Sequence, residues 1–201
     1  MKNALYVILA LLILISGCRS RKQEAPRFYL IEFPSEFQAS DTIQPLPFVL
    51  EIEDVDIHPA YSTNQIAMRE NDHEVKYFIA HQWASRPQQS VQRFISNYFH
   101  QNRIFETTNT RFWNDQPDYR LETIVNHIEV VRIRKDFYAR LHVRFTLIDA
   151  NNQLVDQHNF DQKRLLERRN LNLFTTAVNN MLYEELNFFA QRIHFQLKPA
   201  D

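Results

Sequence analysis

The chain is nearly without glycine and cysteine, with one of each among 201 residues, the adjacent Gly17 and Cys18. Phosphate cradles of the P-loop and dinucleotide-binding kinds need glycines so that backbone amides can approach the ligand, so those nucleotide-binding folds are excluded. A lone thiol also excludes thiolate zinc sites and an internal disulfide. The eight histidines show no HxxxH or HExxH spacing, and no serine lies in a Gly-x-Ser-x-Gly turn. The sequence therefore points to no metal site, no catalytic residue and no enzyme activity. An excess of charge of either sign is missing too: the net charge is −1, which gives no global electrostatic reason to bind nucleic acid.

A long apolar run is also absent. Ala4–Ile15 is apolar throughout but well short of the roughly 20 residues a spanning helix needs, and it ends in Ser16 and Gly17. With Lys2 before it, this reads as a signal-peptide core. Ile15-Ser16-Gly17-Cys18 then resembles the lipobox of bacterial lipoproteins: a branched apolar residue, two small residues, and a thiol that accepts diacylglycerol. The expected divisions are residues 1–17 as lipoprotein signal peptide, 18–26 as lipidated tether and 27–201 as a single domain. Acylation of Cys18, with chains such as palmitate, would consume the thiol and anchor the protein to a membrane without a spanning helix. The mature chain would then carry a charge of −2 and no glycine.

Beyond the tether, alternation dominates. Phe137, Ala139, Leu141, Val143, Phe145 and Leu147 alternate with polar residues, as in a half-buried strand. The preceding run, 119–134, alternates on Tyr119, Leu121, Thr123 and Val125, then shifts to Ile128 and Val130, which predicts a bulge at Val125–His127. A tight connection at Lys135-Asp136 would join the two as a hairpin, and 149–152 would turn the chain into a third strand at Leu154–Phe160. Earlier strands are expected at 28–33, 48–57, 66–69 and 74–80, with a loop from Pro34 to Pro47. Helical spacing of Val91, Phe94, Ile95, Tyr98 and Phe99 follows Pro87, and a wider stripe from Phe174 to Ile193 follows Asn170, a fitting N-cap. The expected fold is α+β, a mainly antiparallel sheet with two amphipathic helices packed on one face. Without glycine, positive-φ turns would fall to Asn71-Asp72, Asn114-Asp115 and Asn151-Asn152.

Two charged groups stand out. Glu51, Glu53, Asp54 and Asp56 form an acidic run that suits a solvated strand edge or, alternatively, paired carboxylates for hydrolysis. Arg132, Arg134, Lys135, Lys163, Arg164, Arg168 and Arg169 would gather near one end of the sheet. There they fit solvated strand ends, or contact with anionic lipid or an acidic partner.

Tyr77–Ile95, "YFIAHQWASRPQQSVQRFI", places a tyrosine in a strand, Trp83 six residues on, Pro87 four beyond, and then a helix. This layout resembles the ABC-type transport auxiliary lipoprotein family, to which the paraquat-inducible lipoprotein C kind belongs. The lipobox, Phe28-Tyr29-Leu30, Asp118-Tyr119-Arg120-Leu121, the hairpin and the long C-terminal helix follow in that family's order. His127-Ile128-Glu129 departs from it, standing where relatives tend to have an aromatic next to an acid. The resemblance implies an outer-membrane-anchored, periplasm-facing lipoprotein with no cofactor beyond the lipid on Cys18. Its partners would be an ABC permease and ATPase and an MCE-domain protein that move lipid between membranes, and a homo-oligomer would suit such a partner. Tyr29, Tyr77, Trp83 and Pro87 are the family-motif positions, serving as core or as partner contact. The competing reading is a carrier domain that shelters an acyl chain between sheet and helices.

Overall fold

The computed structural model describes residues 25–33, 44–112 and 116–198, so Cys18, the signal segment and Asn114-Asp115 lie outside the described residues. In order they form β1 (Arg27–Tyr29), β2 (Leu46–Ile52), β3 (Asp56–Ile57), a 3-10 turn (Pro59–Tyr61), β4 (Gln65–Arg69), β5 (Val75–Trp83), α1 (Pro87–Asn102), β6 (Phe105–Asn109), β7 (Tyr119–Ile133), β8 (Asp136–Asp149), β9 (Leu154–Leu166) and α2 (Leu171–Leu197).

The long strands β7, β8 and β9 form an antiparallel meander. The expected bulge is present, as a register shift between Val125 and His127. It lets the core face of β7 pass from Leu121, Thr123 and Val125 to Ile128 and Val130, keeping apolar residues inward despite the slip in phase. Opposite them, Ala139, Leu141, Val143, Phe145 and Leu147 of β8 are each fully buried. Each of the larger ones contributes about 1.5–3 kcal/mol of burial.

The expectation of a mainly antiparallel sheet is corrected to a mixed one. Residues 46–69 climb the other edge of β7 in three parallel steps: β2 against 119–121, β3 against 124–125, and β4 against 129–131. The predicted single strand 48–57 is therefore two strands, and the ascent breaks again at Pro59, which has no N–H to donate. Because β2, β3 and β4 continue in one direction rather than folding back, they share one orientation, and the long excursion through β5, α1 and β6 allows it to match that of β7. β6 adds in parallel to β2, β5 antiparallel to β4, and β1 in parallel to β5. The period of alternation reveals strands but not their direction. β6, "FETTN", is too short and polar to show a pattern.

Both helices bury their apolar stripes in the same core. Val91, Phe94, Ile95, Tyr98 and Phe99 from α1 join Phe174, Val178, Met181, Leu182, Leu186, Phe189 and Ile193 from α2. Tyr98 donates to Asn187 Oδ1 at 2.9 Å, tying one helix to the other. Pro87 opens α1, and Asn170 caps α2 by accepting from Asn172 N at 2.8 Å.

Positive φ falls on Arg103 (47°), Arg134 (57°) and Asn152 (62°). Only Asn152 was expected. Asn71 instead turns the chain with its side chain, whose Oδ1 accepts from the backbone amides of His73 and Glu74. At the end of α1 and in the β7–β8 turn, the chain must enter the left-handed region whatever residue is present, and arginine bears the cost.

Candidate functional site

The face of β7 and β8 turned away from the helices carries a buried charge. Glu129 is fully buried. β4 brings Arg69, whose Nε reaches Glu129 Oε2 at 3.0 Å and Oε1 at 3.1 Å. β8 brings Arg140 from the position directly opposite, its Nη1 3.3 Å from Oε1. The 3-10 turn lays Tyr61 over the pair, donating from its hydroxyl to Oε2 at 2.7 Å and accepting from Arg69 Nη2 at 2.9 Å. Arg140 also grips Asp161 of β9 bidentately, at 2.9 and 2.7 Å. His127 lies beside the group with Nδ1 2.9 Å from the Tyr61 hydroxyl, and its ring is 5.6 Å from that of His142.

Since the only proton of Tyr61 goes to Glu129, a carboxylate that can only accept, His127 must carry its proton on Nδ1 and donate it. Burial, then the nearby Arg140 guanidinium, pushes the His127 pKa down to about 4. Burial and the bond to Glu129 push that of Tyr61 up to about 12. His127 is therefore neutral and Tyr61 protonated near neutral pH. The bond to Arg140 holds the Asp161 carboxyl below the usual carboxylate range. Each oxygen of Glu129 is occupied by donors, so the arrangement is a closed ion network that locks β4, the 3-10 turn, β7, β8 and β9 together. Among the described residues no group of three His, Cys, Asp or Glu side chains stands as a metal ion would need.

The model of the family described as "ABC-type transport auxiliary lipoprotein component" matches residues 29–185, well over half of the chain. The chain belongs to that family. Among solved structures, an uncharacterised protein superposes with a TM-score of 0.67 at 13% identity, covering 85% of this chain and 99% of its own. Protein XCC0632 from Xanthomonas campestris, assigned to family DUF330, superposes at 0.65 and 12% identity, covering 86% of this chain and 93% of its own. At such identities these likenesses show the fold alone. No curated protein matches the sequence. The family description agrees with association with the cell envelope and with ABC transport systems. No helix among the described residues is long and apolar enough to cross a membrane.

Three of the four motif positions of this auxiliary lipoprotein, Tyr29, Trp83 and Pro87, lie around the β5–α1 junction. Tyr29 and Trp83 are register partners across β1 and β5, and Ala84 N donates to Tyr29 O at 2.8 Å. Trp83 is buried, with its ring 5.7 Å from Phe174, and the Tyr29 hydroxyl bonds His81 Nδ1 at 2.8 Å. Pro87 is buried at the first turn of α1. Tyr77 stands apart: it pairs with Ala67, which itself pairs with Glu129, and its hydroxyl donates to Ala60 O at 2.9 Å, holding the turn that carries Tyr61. Sequence and structure thus give two groups, Tyr29, Trp83 and Pro87 at one junction and Tyr77 at the edge of the ion network.

In the acidic run, Asp54 accepts from Gln92 at 2.9 Å, while Glu53 lies 3.7 Å from Arg120, its pKa raised by burial and then by Glu122. The basic groups do gather at one end of the sheet, where Arg69, Arg132, Arg134, Arg140 and Lys163 line an open cavity of about 290 Å³. The ion network was missed in the sequence. Glu129 was visible only as a departure from the family pattern, and the turn falls at Arg134–Lys135, one residue before the expected Lys135-Asp136, which is what pairs it with Arg140.

Proposed function

We propose that this auxiliary lipoprotein is anchored through acylated Cys18 to the outer membrane, facing the periplasm. There it docks the periplasmic MCE assembly of an ABC-type lipid transport system, with no chemistry of its own. The observation that carries this is the family match over residues 29–185 joined to the lipobox at Ile15–Cys18. Arg19 rather than Asp follows the cysteine, which favours release to the outer membrane.

The packing supports docking over carriage. A carrier needs an apolar cavity between sheet and helices; among the described residues Phe145 stacks on Phe189 at 5.7 Å and Trp83 meets Phe174 at 5.7 Å, and the cavity of about 400 Å³ beside α1 is lined mostly by polar groups, among them Glu32, Ser85, Ser90, Arg93, Asn97 and Asn179. The closed network around Glu129 supports a rigid docking body.

The test is metabolic labelling with a fatty acid followed by separation of the two membranes. The wild-type chain should carry label and sediment with the outer membrane, and Cys18→Ser should lose both. Label in the inner membrane would overturn the assigned location, and an unlabelled chain the anchor itself.

A further inference from the structure

The turn between β7 and β8 and the end of β9 form one exposed end of the sheet, since Phe137 pairs with Leu166. Arg169 lies over the rings of Phe78 and Phe137 at 5.3 and 5.8 Å, and Arg132 over Phe137 at 5.8 Å, which holds the two segments together. Residues 132–136 and 167–169 are exposed throughout. Segments 132–136 and 163–169 carry seven cations against Asp136 and Glu167. Arg132 is paired with Glu70 and Arg164 with Glu184. Arg134, Lys135, Lys163 and Arg168 have no side-chain partner among the described residues. Between them Ile133 and Leu165 are 44% and 63% exposed. The adjoining β4–β5 turn adds Glu70, Asp72 and Glu74: Glu70 is bound to Lys76 and Arg132, Glu74 lies 3.7 Å from Lys76, and among the described residues Asp72 is the one acid left to face the cavity that Arg134 and Lys163 line.

The opposite end of the sheet carries more acids than bases, with Arg120 paired to Glu53 at 3.7 Å. Leu50, Tyr119 and Asp149 are paired neighbours there, bringing Glu51, Asp118 and Asp149 together with Glu53 and Glu122 nearby. The length of β8 separates the two ends by about 40 Å at ~3.3 Å per residue.

The path of the chain gives the basic end its partner. β5 starts at the hairpin end, where Arg69 pairs with both Val75 and Val131. Since β1 runs parallel to β5, the chain approaches Arg27 from the hairpin side, although Arg27, opposite His81, lies six residues or roughly 20 Å along β5 from Val75. Arg27 lines a cleft with Arg169 and Asn170. The tether 18–26 can reach at most about 30 Å even when extended.

We infer that the basic hairpin end is the membrane-facing end of the domain. Arg134, Lys135, Lys163 and Arg168 rest on anionic phospholipid headgroups, Ile133 and Leu165 touch the interface, and the acidic end is held outward. This rests on the lipidated Cys18 of the proposed function. Charge complementarity and the bounded tether both select a lipid surface rather than a distant acidic protein. Each lysine or arginine near such a surface favours contact by roughly fivefold.

The full, acylated chain would be reconstituted in vesicles of phosphatidylglycerol and phosphatidylethanolamine, or of phosphatidylethanolamine and phosphatidylcholine alone. Fluorophores placed through Asp136→Cys or Asn151→Cys, both at exposed positions, would be read against quenchers on the headgroups. Several-fold stronger quenching at residue 136 than at 151 is expected in the anionic vesicles. The difference should vanish in neutral vesicles and in the combined variant Arg134→Glu, Lys135→Glu, Arg168→Glu. Equal quenching at the two sites, or stronger quenching at 151, overturns the orientation and leaves an acidic protein as the partner of this end. Mass measurement of the same sample separates the two claims, since an unmodified Cys18 overturns the anchor and this orientation with it.

Discussion

Replacing Glu129 with glutamine tests whether the ion network holds the sheet together. One carboxylate oxygen accepts from Arg69 and Arg140, the other from Arg69 and Tyr61. Whichever way the new amide turns, its NH₂ faces a donor, and two guanidinium groups lose their shared counter-charge. Removing one partner of a buried ion pair costs about 3–5 kcal/mol. The side chains of Arg69 and Arg140 keep 19% and 17% of their exposure, and Arg140 retains Asp161, which lowers the expected loss to about 2–4 kcal/mol. In urea melts followed by circular dichroism, with a slope of about 2 kcal/mol/M, the midpoint should fall by roughly 1–2 M while the native spectrum is kept. A fall of less than about 0.3 M would show that the network adds little stability and would refute the reasoning.

Three further outcomes follow from the same contacts. His127 binds its proton near pH 4 when folded and near 6.5 when unfolded, so acidification through that window favours the unfolded chain. Stability should fall as pH drops from 6.5 to 4, by at most about 3.4 kcal/mol and, for a ring one quarter exposed, by about 1–2 kcal/mol. His127→Gln should flatten the stability profile in this range. Asn170→Ala removes the cap of α2 and should cost about 1 kcal/mol in the same melts, whereas an unchanged midpoint would deny the cap a role. Arg103→Gly, at φ 47°, should raise stability by about 0.5–1 kcal/mol because glycine enters the left-handed region without strain; a loss would mean that the arginine side chain matters more than its backbone.

What the sequence revealed and what it hid divide along physical lines. The bulge at Val125–His127 was legible because a slip in a period-2 pattern can be absorbed only by an extra residue if one face is to stay buried. The cap at Asn170 was legible because a short polar side chain before an apolar helical stripe has one common use. The parallel ascent of residues 46–69 was not, since alternation is the same whichever way a neighbouring strand runs. Arg103 and Arg134 escaped notice because their backbone angles are imposed by a helix end and a hairpin, against their own preference. Glu129 was hidden for a related reason. A charged residue on the face away from the helices reads as solvated unless one sees that the 3-10 turn, pinned by Tyr77, covers it.

The most direct test of the account is cross-linking of the wild-type protein in its native envelope, with the captured partners identified by mass spectrometry and Cys18→Ser as the comparison. The account predicts that the wild-type chain captures an MCE-domain protein and that Cys18→Ser loses it. Capture of only unrelated envelope proteins, or equal capture without the lipidation site, would contradict it.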